Sequence, residues 1–119
     1  MLKSIGVTDV TEAPSAEMAW SYLVGTQRRG FHAVIADLGL PGISGIKLIK
    51  KLRAMPSPRA KELPIIVVTG TNDLTTFKKL EAQNISSYLI KPISAGLLQS
   101  AIEKALAAGK YGVGTLGAW

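Results

Sequence analysis

The chain of 119 residues has no cysteine and a single histidine, His32. Disulfides and thiolate metal sites are therefore excluded, a reducing cytoplasmic setting is comfortable, and no second histidine exists to build a metal pair. Aromatic residues are scarce, at 6%, and do not interleave with the basic residues as a stacking platform for nucleic acid would require. No apolar run approaches the roughly 20 residues of a membrane span. The opening MLKSIGV lacks the long apolar stretch of a signal peptide. Acidic residues are few: eight, against 14 lysines and arginines, for a net charge of +6. Ten of the basic residues are scattered from Arg28 to Lys79 and read as solvated helix faces. No helix concentrates enough of them to make a nucleic-acid module the leading reading.

What the chain does have is length for one domain and a 47% hydrophobic content that can supply a core. Short apolar runs at Ile5–Val10, Ala33–Ala36, Ile65–Val68 and Tyr88–Ile90 are too short for helices, and β-branched residues dominate the first three. Helical spacing lies between them. Ser15 is a candidate N-cap ahead of Met18, Ala19, Tyr22 and Leu23. Ile46, Ile49 and Leu52 form the apolar side of a second helix, with Lys47, Lys50, Lys51 and Arg53 opposite. A third begins after Asn72 with Leu74, Phe77, Leu80 and Glu81. A fourth begins at Ser94 and turns Leu97, Leu98, Ala101, Ile102, Ala105 and Leu106 inward. Alternating strands and helices predict an α/β fold, a parallel sheet with helices on both faces. Burial on both faces explains why VIAD and IIVVT are continuous apolar runs. Residues 53–64 read as a polar loop. Residues 109–119, GKYGVGTLGAW, contain four glycines and read as a C-terminal tail that frays or docks on a neighbour.

In an open parallel sheet, ligand sites form beyond the carboxyl ends of the strands. Three strands here end in chemically useful residues: Asp37, Thr69 and Lys91. A carboxylate can act as a nucleophile toward a phosphoryl group, while an ammonium and a hydroxyl bind the phosphoryl oxygens. His32 reads as structural.

The stretches DLGLPGISG, PIIVVTG and YLIKP carry a resemblance. In the first, an aspartate is followed by a proline four residues on and a glycine eight residues on. The second is an apolar strand ending in a hydroxyl. The third has an aromatic three residues before a lysine and a proline just after it. Together they resemble the receiver (CheY-like) domain of two-component response regulators, over about residues 2–106. The resemblance implies a flavodoxin-like, doubly wound sheet and a cytoplasmic signalling protein rather than an enzyme. It implies that Asp37 accepts phosphate from a histidine kinase or phosphotransfer protein. The carbonyl of Gly39 would ligate Mg²⁺, as would Asp37. Thr69 would bond the phosphoryl group and act with Tyr88 as a switch, and Lys91 would pair with the phosphoryl oxygens. Pro41, Gly45 and Pro92 would shape the loops, with a cis bond before Pro92. Output would pass by contact through the face made by the third and fourth helices and the strand between them, since no effector domain is evident.

One feature of the family is missing. Receiver domains open with a strand ending in two adjacent acidic residues that hold Mg²⁺, and none of the eight acids here are adjacent. Two alignments are open. In one, residues 2–23 are the end of the family's first helix, then its second strand and helix, so the first strand–helix unit is absent. In the other, SIGVTD is the first strand with Asp9 as its lone acid, and the second unit is lost. Either leaves about four recognisable strand–helix units instead of five. Glu12 would replace a missing acid only if its strand paired directly with the Asp37 strand. A degenerate pseudo-receiver, binding partners without phosphorylation, is the alternative function. Loss of a central strand would also leave two neighbours without hydrogen-bond partners. Three remedies are expected: the neighbours close up, a second chain fills the gap as in a strand-exchanged homodimer, or the tail fills it.

Overall fold

A computed structural model describes residues 10–13, 15–23, 31–38, 45–56, 61–70, 74–108 and 115–118. In chain order these form β1 (Val10–Glu12), α1 (Ala16–Leu23), β2 (Phe31–Asp37), α2 (Gly45–Arg53), β3 (Ile65–Thr69), α3 (Leu74–Glu81), β4 (Ser87–Ile90), α4 (Ala95–Ala108) and β5 (Thr115–Ala118). The five strands make one parallel sheet in the order β1-β5-β2-β3-β4. The flavodoxin-like fold is thus present, with every unit as expected but one.

That one is the strand next to β2. A flavodoxin-like sheet runs 2-1-3-4-5, so β1 occupies the second strand's edge position, and β2, β3 and β4 occupy the third, fourth and fifth. The first strand's central position is held by β5. Of the three remedies for the gap, a single copy of the chain shows the third, and residues 115–118 pair within the sheet. The four glycines of residues 109–119 give little local strand signal. The slot supplies the reason instead, because two facing strand edges with unpaired N–H and C=O groups override weak propensity. The placement also favours the first alignment: the second requires the strand before α1 to pair with β2, and among the described strands β1 pairs only with β5. Residues 1–9, which include Asp9 and most of the expected first strand, lie outside the described residues.

The sheet is covered on both faces. Ile65 and Val67 of β3 point with Val34 and Ala36 into a cluster with Ala19 of α1, Leu48, Ile49 and Leu52 of α2, and Leu80 of α3. Ile66 and Val68 point the other way, with Ala33 and Ile35, onto Leu98, Ala101, Ile102 and Ala105 of α4. Two-sided burial is why IIVVT is apolar at every position but the last. In β2 the alternation slips: Phe31 lies in the same cluster as Val34 and Ala36. The register toward β5 shifts between Phe31 and Ala33, leaving His32 as the extra residue of a bulge.

Both expected caps are present. Ser15 Oγ accepts from Met18 N at 3.3 Å and Ser94 Oγ from Leu97 N at 3.1 Å. Several residues expected on apolar faces are turned outward: Met18, Phe77 and Leu97, the last 56% exposed. Leu48, by contrast, is fully buried. The helical period locates a stripe, but its edges depend on how wide the neighbouring surface is. No helix among the described residues is long and apolar enough to cross a membrane.

Candidate functional site at the carboxyl ends of the strands

Parallel pairing carries three strand ends to the same edge. Asp37, the last residue of β2, is level with Val68, and Thr69 is level with Ile90. The ladder continues one step past each strand: Leu38 N donates to Val68 O at 3.0 Å, and Lys91 N to Thr69 O at 2.7 Å. These bonds fix the backbone beneath the side chains. Lys91 Nζ then reaches Asp37 Oδ2 at 2.6 Å, an ion pair between residues 54 positions apart. The side chains are 48% and 25% exposed, so the pair stays open to solvent. An exposed pair contributes little to stability, about 0–1 kcal/mol. Its consequence is chemical, since it holds a carboxylate and a cation side by side where an incoming anion can reach both.

Thr69 is 3% exposed at the end of β3, between the strands that carry Asp37 and Lys91. The Lys91–Pro92 bond is cis, as the resemblance implied. Tyr88 packs against the core cluster beneath α2 and α3, its ring edge-to-face with Phe77 at 5.3 Å between centroids. Its hydroxyl is buried and has no hydrogen-bond partner. Gly45, the first residue of α2, is buried, and a Cβ there would come within 2.8 Å of Leu38 Cδ2. The glycine therefore lets the helix start close against the residue that follows Asp37. Gly39 and Pro41 lie outside the described residues.

Glu12 does not join the site. It is exposed at the end of β1, and β5 stands between β1 and β2. Two strand spacings, roughly 9–10 Å, separate its strand from that of Asp37, so the condition for its substituting a missing acid is not met.

The family model described as the response regulator receiver domain matches residues 1–103. The chain belongs to that family. Among curated receiver proteins it is 31% identical over 111 residues to a chemotaxis protein CheY homolog of Campylobacter jejuni, covering 91% of this chain and 80% of that one. It is 29% identical over 104 residues to the chemotaxis protein CheY of Pseudomonas aeruginosa, covering 87% and 80%. Among solved structures, the receiver domain of a sensor histidine kinase from Pseudomonas aeruginosa superposes with a TM-score of 0.74 at 22% identity, covering 90% of this chain and 83% of that one. That structure holds a magnesium ion coordinated in its active-site cleft.

The described residues do not gather a carboxylate cluster for a dedicated magnesium site. Mg²⁺ takes six oxygens in near-octahedral geometry, several of them from water and one or two from carboxylates. No group of three or more acidic, histidine or cysteine side chains gathers among the described residues. One oxygen of Asp37 already accepts from the Lys91 ammonium.

Sequence reasoning missed a second polar cluster at the opposite edge of the sheet. Arg53, read as part of a solvated face, donates from Nε to Gln83 O at 2.7 Å. It also donates to the carbonyls of Lys61 (3.0 Å), Leu63 (2.8 Å) and Asn84 (3.1 Å). Desolvation holds its guanidinium below the usual arginine range. The available signal was position: Arg53 follows Ile49 by four residues and so shares the helix face of a fully buried side chain.

Proposed function

We propose that this receiver domain is a phosphorylation-driven switch in which Asp37 is the phosphoacceptor. The 2.6 Å approach of Lys91 Nζ to Asp37 Oδ2 carries this reading. It places the cation needed to neutralise phosphoryl oxygens beside the nucleophile that would attack phosphorus. An Asp37 carboxylate oxygen attacks the phosphorus of a phosphohistidine on a sensor kinase or phosphotransfer protein. A P–O bond forms, the P–N bond breaks, and the departing imidazole keeps the electron pair and takes a proton from solvent. Lys91 then shifts from the carboxylate to the phosphoryl oxygens, and the Thr69 hydroxyl donates to another of them.

The change has a route outward. Thr69 ends β3 and Tyr88 sits in β4, with a ring that contacts Phe77 of α3. Drawing Thr69 toward the phosphoryl group would make Tyr88 repack and alter the α3–β4–α4 face. Phe77, Ile90 and Leu97 are exposed there and supply apolar contacts for an output protein. A cytoplasmic setting follows from such partners.

Acetyl phosphate supplies the test. Intact-mass measurement is expected to show one added phosphoryl group, labile to hydroxylamine, on the native chain and none on Asp37→Asn. The absence of any adduct, with and without Mg²⁺, would sink the proposal. The pseudo-receiver reading is kept alive by a specific observation, the lack of clustered acids. It predicts no adduct and no saturable Mg²⁺ binding, with partner binding unchanged in Asp37→Asn.

A further inference from the structure

We propose that β5 is exchanged between two copies of this chain, giving a twofold dimer in which each sheet is completed by the other copy's Thr115–Ala118. β5 hydrogen-bonds to β1 on one side and β2 on the other. Among the described strands it is the sole sheet neighbour of β1. The slot between β1 and β2 therefore has to be filled, because two facing strand edges cannot stay unpaired inside a sheet. The slot is indifferent to which copy fills it, since an identical strand from another chain makes identical backbone bonds. Reciprocal exchange closes on itself and leaves neither copy's slot between β1 and β2 empty.

Three features favour exchange of this strand alone. The β2–β5 seam is imperfect: Phe31 pairs with Thr115, but Ala33 pairs with Leu116, and His32 is left over. The Nδ1 of His32 is buried without a hydrogen-bond partner. Gly117 lies in the middle of the strand, where it adds backbone entropy on release and no packing on return. The preceding element, by contrast, is fixed. α4 is capped by Ser94 and buries Leu98, Ala101, Ile102 and Ala105 on the sheet. In the sequence, α4 and β5 are separated by residues 109–114, GKYGVG, half of them glycine. Closed and exchanged forms make the same contacts, so protein concentration sets the balance between them.

The absence of native cysteine allows a direct test on the full chain. Glu12 and Ala118 are register partners on β1 and β5, and neighbouring strands lie about 4.8 Å apart, within the span of a disulfide. In the double variant Glu12→Cys/Ala118→Cys, a strand kept at home gives an intrachain disulfide and an exchanged strand gives a covalent dimer. The expected result is a covalent-dimer share on non-reducing gels that rises with the protein concentration held before oxidation and falls when the protein is diluted and equilibrated first. A disulfide that is intrachain at every concentration overturns the proposal. So does a dimer in sedimentation whose disulfide is wholly intrachain, and so does failure of the folded variant to form any disulfide. The unmodified chain gives a second readout, independent of whether the variant folds. Isotope-labelled and unlabelled copies are expected to form mixed dimers slowly, on the timescale of strand release. A monomer throughout the micromolar to millimolar range refutes exchange.

Discussion

The Nε and both amino groups of Arg53 donate to the carbonyls of residues 61, 63, 83 and 84, and no carboxylate is among these partners. Those carbonyls come from two segments: the approach to β3 and the turn after α3, where Asn84 adopts φ 55°. One guanidinium thus ties the end of α2 to the starts of β3 and β4. The planar fork matters, because a lysine ammonium cannot address donors to both segments at once. Bonds from a charged donor are each worth about 1.5–3 kcal/mol, and water would take over the more exposed of these carbonyls. Arg53→Met, which keeps the apolar stem, is therefore expected to lower unfolding free energy by about 2–3 kcal/mol in urea titration, with Arg53→Lys recovering less than half. The shared edge of Asp37, Thr69 and Lys91 was legible before the structure because each ends or directly follows a short apolar strand, and parallel topology leaves a strand-end residue one place to go. Arg53 was not, because its partners are main-chain atoms, which no side-chain motif encodes.

Among the elements, β2, β3 and β4 could be read to within a residue or two, since a run such as IIVVT admits no other role in a parallel sheet. The helices were legible by existence and cap more than by face. Ser94 announced α4 correctly, while Leu97 was assigned inward and is instead solvent-facing. The cap itself is testable. Ser94 Oγ accepts from Leu97 N, and Ser94 O accepts from Leu98 N at 3.1 Å, so one residue closes the first turn twice. α4 supplies the helical side of the second core cluster, and fraying its first turn loosens Leu98 above Ala33, Ile35, Ile66 and Val68. Ser94→Ala is expected to cost about 1 kcal/mol, and Ser94→Asp to retain most of that. The measurement is thermal unfolding followed by circular dichroism. Ser94 precedes the helix by one residue and stands three after Lys91, so acetyl phosphate reactivity at Asp37 should be unchanged.

For the whole molecule, a central strand delivered by the C-terminal end of the described chain makes integrity depend on residues that local signals rate lowest. The pattern of the sequence exposed the gap, since the missing strand's neighbours were recognisable, but could not choose among three fillings that satisfy the same backbone groups. Removal of residues 109–119 tests the choice. Without β5, β1 loses its sole partner among the described strands and β2 loses one side of its ladder. Several backbone bonds at about 0.5–1.5 kcal/mol each sum to a few kcal/mol, a large part of the 5–15 kcal/mol typical of a domain. The truncated chain is expected to lose β1 and α1 from the fold while β2, β3 and β4 retain their mutual pairing. Trp20 and Trp119 are the two tryptophans, so the truncated chain keeps only Trp20. In the intact fold Trp20 packs on the core, with Lys51 Nζ 4.5 Å from its ring centroid. Detachment of α1 should therefore move its emission to the red and abolish a single cooperative melt. A synthetic peptide of residues 109–119 with Trp119 replaced by phenylalanine should restore both by re-entering between β1 and β2. An unchanged melting temperature and unchanged Trp20 emission after truncation would mean that the neighbours close up unaided, and that β5 occupies the slot without being required there.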